Sequence, residues 1–209
     1  MEDYEIIEMH KVHAQDREAQ PLFVVRAINF KVPTYITMFA SVELKANDIV
    51  QVGDKHVYKD GKDIGEIKEI KSGVGVKIDA TYNIKYTGGY SRDGSTIYMD
   101  SNFPKEIEVA DKKVNAHESI GRHHELTEKW LVDSAYDYPY AHEIANRTER
   151  AYVESMGVSW SEYSKEVNRH LSEVSAAKLI RSPKDLDTTP YISSDDTATL
   201  KEIRDSMEP

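Results

Sequence analysis

The hydrophobic pattern of the chain changes near residue 110, and this change constrains the fold more than any other feature. Before it, short β-branched and aromatic segments such as 22–30 alternate with turn residues. The Asp60-Gly61 pair between two such segments is a strong signal for a two-residue hairpin turn. From about residue 116 the apolar residues recur at helical spacing. We therefore predict an α+β fold, with a mainly antiparallel β region followed by a three-helix C-terminal region.

Local signals mark where these helices begin and end. The predicted helices span about residues 117–132, 140–156 and 160–178. Gly121 weakens the middle of the first helix, so it could also form two short helices. Gly157 follows the second helix at a position that favours glycine, and Ser159 with Glu162 forms a capping-box pattern that opens the third.

These patterns divide the chain into three regions. Residues 1–110 form the β region, whose first part could be a docking module for a particle or partner. Residues 111–180 form the helical region. Residues 181–209 are rich in Ser, Asp and Thr, so we expect a polar, loosely attached tail with a short helix near 199–207. The Gly88-Gly89 and Asp93-Gly94 pairs are expected to form turns, since neither precedes a phosphate-loop Lys-Ser/Thr pair.

Composition excludes several classes of protein. The chain has 27 Lys and Arg against 37 Asp and Glu, and this net charge of −10 argues against non-specific nucleic-acid binding. The absence of Cys excludes a disulfide scaffold, a Cys-ligated zinc site and a thiol nucleophile. No apolar run approaches the roughly 18–20 residues of a membrane helix, and the acidic first ten residues lack a secretory signal pattern. We expect a protein without a nucleic-acid or membrane partner.

The first predicted helix carries an HExxE arrangement, His124-Glu125-x-x-Glu128. Residues four apart lie on one helix face, so His124 and Glu128 could bind the same cation. Glu125 projects about 100° around the helix from His124. In HExxH metalloproteases this offset lets the glutamate act as the general base on a zinc-bound water, and glutamate also serves as a zinc ligand. Glu125 is therefore the candidate catalytic residue.

The second predicted helix supplies the remaining candidate ligands. His142 and Glu149 are seven residues apart and share a face, and the short connection favours antiparallel packing against the first helix. We predict a zinc site in which His124, Glu128 and His142 are ligands. Glu149 would be either a fourth ligand or a partner that orients a histidine. His117, seven residues before His124, would share its face on an unbroken α-helix.

A simpler interpretation uses the same residues. His and Glu are common on solvated helix faces, and Glu125 lies at helical spacing from both Arg122 and Lys129. The first helix could then be an acidic surface helix with ion pairs and no metal.

Residues 86–163 resemble a largely uncharacterised family of proteins from bacteriophages, prophages and proteobacteria, with an HExxE metallopeptidase-like helical region. The resemblance is carried by the segments 88–100, 103–104, 124–131, 140–145 and 157–160, together with Glu149. It implies that His124, Glu125, Glu128, His142 and Glu149 form the functional cluster. The additional His117 and His123 leave open whether one of them replaces His124 as a ligand.

Together these features predict a zinc-dependent, peptidase-like hydrolase of phage or prophage origin, found in the host cytoplasm or associated with the virion. Its substrate would be a virion protein, a host protein or a cell-wall peptide. The alternative is a non-enzymatic virion component of the head, neck or tail, bound to other virion proteins, with a structural metal or none. A third possibility is an acidic inhibitor that binds a basic host protein.

Overall fold

The computed structural model describes residues 1–12, 22–29, 33–73 and 75–207. The chain divides into two compact units, Met1–Gly75 and Val76–Pro209. The first unit is built from β-strands, and the second combines strands with helices, so the predicted α+β class is confirmed. The division places the strands after Gly75 in the same unit as the helices.

The first unit is a closed antiparallel barrel of six strands. These are β1 (Glu2–Val12), β2 (Leu22–Ile28), β3 (Pro33–Ala40), β4 (Ile49–Val52), β5 (His56–Lys59) and β6 (Lys62–Ser72), in the order β1-β2-β3-β6-β5-β4. The turn between β5 and β6 has positive φ at both Asp60 and Gly61, as the Asp-Gly signal predicted. Ile6, Val25 and Ile36 are among the apolar side chains that fill the interior.

The second unit begins with two small sheets. Its strands are β7 (Lys77–Asp79), β8 (Gly88–Tyr90), β9 (Thr96–Met99), β10 (Glu106–Val109) and β11 (Lys112–Asn115). In the first sheet, β9 lies between β7, to which it is parallel, and β8, to which it is antiparallel. β10 and β11 form a separate hairpin. The predicted turn at Gly88-Gly89 is wrong, because both residues pair in β8, whereas Gly94 does lie in a turn with positive φ.

Helices form the remainder of the second unit. A π-helix (His117–Glu125) runs directly into α1 (Leu126–Asp133), followed by α2 (Tyr138–Ser155), α3 (Trp160–Ala176), α4 (Thr189–Ser193) and α5 (Thr197–Ser206). The side chain of Asp137 caps α2 by accepting from the Tyr140 amide, and Ser159 caps α3 by accepting from the Glu162 amide. None of the helices in the described residues is both long and apolar enough to span a membrane.

The expectation of a loosely attached tail at 181–209 needs correction. Leu186, Tyr191 and Ile203 are buried in one apolar cluster with Ile84 and Tyr98, and α5 lies where a short helix was predicted. The segment also pairs with the sheet, since the Asp187 amide donates to the Tyr90 carbonyl at 2.8 Å. The buried residues stand far apart among polar ones, so the local sequence pattern gave no sign of their shared face.

Removal of apolar volume from this C-terminal segment will destabilise the protein. Ile203 is 0% exposed, so Ile203→Ala is expected to lower the free energy of unfolding by about 2–5 kcal/mol. Ile192, in the same segment, is 61% exposed, so Ile192→Ala should change it by less than about 0.5 kcal/mol. Urea unfolding followed by circular dichroism measures both. Equal effects of the two variants would contradict the docked position of the segment.

Candidate metal centre

Two histidines and a glutamate from neighbouring helices meet at one point. His124 lies at the end of the π-helix, Glu128 lies in α1 and His142 lies in α2. One ligand atom from each of these residues lies within 4.8 Å of the other two. This group could hold a metal ion, because imidazole nitrogens and carboxylate oxygens are common metal donors.

Both imidazoles face the same oxygen of Glu128. Nδ1 of His142 is 2.9 Å from Oε2 of Glu128, and Nε2 of His124 is 3.7 Å from that oxygen. The two rings are 4.8 Å apart at an interplanar angle of 72°. Donor atoms around a tetrahedral cation with bonds of about 2.1 Å lie about 3.4 Å apart. The three donors therefore need only small shifts to bind one ion.

Glu149 contacts His124 on the nitrogen that faces away from this point. Its Oε2 is 3.1 Å from Nδ1 of His124, and its Oε1 accepts a hydrogen bond of 2.7 Å from the Tyr163 hydroxyl. The Tyr163 hydroxyl is also 2.8 Å from Oγ of Ser119. This chain fixes the orientation of the His124 ring, as carboxylates do behind metal-binding histidines. Of the two roles considered for Glu149, the geometry favours the orienting one.

Glu128 receives a further hydrogen bond that the sequence did not indicate. The Tyr90 hydroxyl, from β8, donates to Oε1 of Glu128 at 3.1 Å. β8 also approaches Glu125, since a Cβ atom on Gly88 would lie 3.0 Å from Oε1 of Glu125 and 3.0 Å from the Tyr98 carbonyl oxygen. Glycine at position 88 therefore allows the strand to pass directly over the Glu125 carboxyl group.

The two glutamates of the HExxE arrangement have opposite electrostatic environments. Burial, together with the negative charge of the neighbouring Glu128, raises the pKa of Glu125 to about 8. Burial opposes ionisation of Glu128 as well, but hydrogen bonds with His124 and His142 hold its pKa down to about 2. Within the described residues, no hydrogen bond reaches the Glu125 carboxyl group. Glu128 is thus anchored as an anion, and Glu125 is left available for proton transfer.

The additional histidines do not join the cluster. His123 is buried on another side of the helix, where Nδ1 is 2.7 Å from the Glu118 carbonyl oxygen and the ring stacks on Tyr152 at 4.1 Å. Burial lowers the pKa of His123 to about 4. His117 does not share the face of His124, because a π-helix has more residues per turn than an α-helix and seven residues fall short of two turns. Among these three histidines, the cluster contains His124 alone.

The surface-helix interpretation is wrong. His124, Glu125 and Glu128 are at most 8% exposed. The cations suggested as their partners pair elsewhere. Arg122 is 3.2 Å from Glu118, and Lys129 is 3.1 Å from Asp187. Buried carboxyl groups carry a large desolvation cost, so burial of several of them together indicates a site and not a solvated face.

A cavity of about 430 Å³ opens beside the cluster. His124, Glu125, Glu128 and His142 line it on one side, and residues of β8, α3 and α4 line it on the others. A cation held by three protein ligands would therefore face open space next to Glu125. Catalytic metal sites keep such an open position, whereas structural sites are closed by a fourth protein ligand.

Comparisons with protein-family models, with curated proteins and with solved structures found no match to this chain. The resemblance to the phage and prophage family therefore stays a prediction, and the metal centre depends on its own geometry.

Metal binding tests the centre directly. We expect one divalent cation per chain by elemental analysis of the purified protein, with less than a tenth of this content in His124→Ala and in His142→Ala. His117→Ala is the matched control, because His117 lies on the same helix outside the cluster, and it should keep the full content. Undiminished metal in both cluster variants would rule out this centre.

Glu149→Gln distinguishes an orienting residue from a ligand. The amide keeps the size of the side chain but holds the His124 ring less well, so metal affinity should fall by about 10- to 100-fold while stoichiometric binding persists at saturating metal. Titration calorimetry with Zn²⁺ measures both the affinity and the stoichiometry. Complete loss of binding would instead identify Glu149 as a ligand.

Proposed function

We propose that this protein is a zinc-dependent hydrolase that cleaves peptide bonds, with His124, Glu128 and His142 as ligands and Glu125 as the general base. The observation that carries the proposal is the position of Glu125, buried at the cavity wall beside three donor groups that leave one side of a cation open. The donor set of two nitrogens and one carboxylate oxygen, without sulfur, is a common catalytic zinc set.

Each residue has a distinct task in this proposal. A bound zinc ion supplies Lewis-acid chemistry, which polarises a carbonyl group and lowers the pKa of water. Glu125 takes the proton from the attacking water and passes it to the leaving amine. A cation nearby favours the ionised form of Glu125, which offsets the effect of its burial. Glu149 and Tyr90 hold His124 and Glu128 in place through their hydrogen bonds.

The alternative, a virion component with a structural metal, receives less support from the geometry. A structural site needs four protein ligands, and the described cluster offers three. The resemblance to phage and prophage proteins supports a place of action in the host cytoplasm or on the virion. The substrate would then be a virion protein, a host protein or a cell-wall peptide.

Glu125→Gln tests the catalytic step. The substitution keeps the shape of the side chain but removes the base, so zinc should still bind stoichiometrically while the rate of peptide cleavage falls by about 10²- to 10⁴-fold. Mass spectrometry of a peptide library incubated with zinc-loaded protein measures cleavage, and elemental analysis measures zinc. Zinc binding by the unaltered protein without cleavage of any peptide would favour the structural alternative.

A further inference from the structure

Acidic side chains line the cavity, and the described lining residues include no Lys or Arg. Among the described residues that line it, the acidic side chains are Glu125, Glu128, Glu149 and Asp187. The nearby Lys129 is not among the residues that line the cavity. Its ammonium group lies 3.1 Å from Asp187 and also pairs with Asp133. Lys129 therefore neutralises Asp187, and its ammonium group is already paired with two carboxylates.

A bound divalent cation does not reverse this balance. Its two charges are matched by Glu128 and Glu149, so the site is neutral when Glu125 is protonated and negative when Glu125 is ionised. An acidic or phosphorylated group entering the cavity would lose its hydration without gaining a cationic partner on the walls. A neutral or basic group meets no such cost, and a basic group finds carboxylates.

One wall of the cavity is an incompletely covered apolar face of α3. Trp160, Val167 and Leu171 lie at helical spacing along this face, and all three are half-buried and line the cavity. Asn168 lies on the same face and is exposed at the rim. The face therefore offers apolar area to a side chain that enters from solvent.

Tyr86 holds an aromatic ring at another side of the cavity. Its backbone is left-handed, with φ of 67°, which is uncommon for a bulky residue and concentrates at functional sites. The ring stacks on Tyr191 at 6.2 Å, and the hydroxyl donates to Asp196 at 2.6 Å. Tyr86 is 44% exposed in spite of these contacts, so part of its ring stays available to a ligand.

From these walls we infer the substrate class, and this inference rests on the proposed function. The cavity takes a polypeptide segment with neutral or basic side chains, places an aromatic or aliphatic side chain against the Trp160–Leu171 face of α3, and rejects acidic and phosphorylated segments. The aromatic and aliphatic walls provide affinity, and the acidic lining, with no Lys or Arg among its described residues, provides the selection by charge.

Binding of uncleavable peptides, with N-methylated peptide bonds, to the zinc-loaded unaltered protein tests this inference without turnover. Three acetylated and amidated peptides of the form Ala-X-Phe-Ala-X-Ala, with X as Lys, Gln or Glu, are titrated by calorimetry at 0.15 M salt (about an 8 Å screening length). We expect the Lys peptide to bind at least tenfold more tightly than the Glu peptide, with the Gln peptide between them. Equal affinities, or no binding of any peptide, would overturn the inference.

Charge variants on α3 separate the cavity from the overall acidity of the chain. Asn168→Arg places a cation at the cavity rim and should reduce the Lys-to-Glu preference at least threefold. Ala176→Arg adds the same charge to an exposed position of α3 outside the cavity and should leave the preference unchanged. The same change in both variants would mean that net charge alone selects the peptides.

A third comparison tests the apolar wall. Leu171→Ala should weaken the Lys peptide at least fivefold but leave unchanged the affinity of a matched peptide with Ala in place of Phe. Equal weakening of both peptides would contradict the assigned position of the Phe side chain. Circular dichroism confirms that each variant folds.

Cleavage by the unaltered protein separates failure of the inference from failure of the proposed function. If no peptide is cleaved but the binding preference holds, the proposed hydrolase activity fails and the binding class stands. If the Glu peptide is cleaved as fast as the Lys peptide, the hydrolase activity stands and the substrate class is wrong.

Discussion

The candidate site depends on the burial of one carboxylate, that of Glu128, between two imidazoles. A buried anion is tolerated only where partners satisfy its oxygens, and here His124, His142 and Tyr90 do so. These partners come from the π-helix, α2 and β8, so the same contacts that stabilise the charge also fix three elements around it. Among the described residues, none donates a hydrogen bond to the neighbouring Glu125, and burial raises the pKa of this glutamate. Adjacent turns of one helix thus carry two carboxyl groups suited to different tasks.

The π-helix decides which histidines can take part. It brings His124 and Glu125 to the cavity while His123 points to Tyr152. π-helical segments are rare in proteins overall, but those that occur are often at functional sites. Their wider turn alters which side chains share a face. The same widening moves His117 away from the face that α-helical spacing predicted for it.

The sequence predicted the parts of the site that depend on local spacing. His124 and Glu128 lie one turn apart, and a short connection to α2 was enough to suggest that His142 meets them. Tyr90 was not predictable as a partner, because it reaches Glu128 from a strand 38 residues earlier in the chain. The Gly88-Gly89 pair was predicted to form a turn because glycine is common in turns. Here glycine instead allows a strand to approach Glu125 closely, and local sequence carries no information about that contact. Likewise, Leu186 and Ile203 form a common face only after the chain has folded back.

The position of the C-terminal segment has a consequence for how the site is assembled during synthesis. Asp187, Pro190 and Tyr191 complete one wall of the cavity, and Asp187 closes the edge of β8 through the Tyr90 carbonyl. Ribosome-bound chains that lack these residues have the candidate metal ligands but an unfinished cavity. The order of translation thus delays a fully walled site until after the barrel and the long helices have emerged.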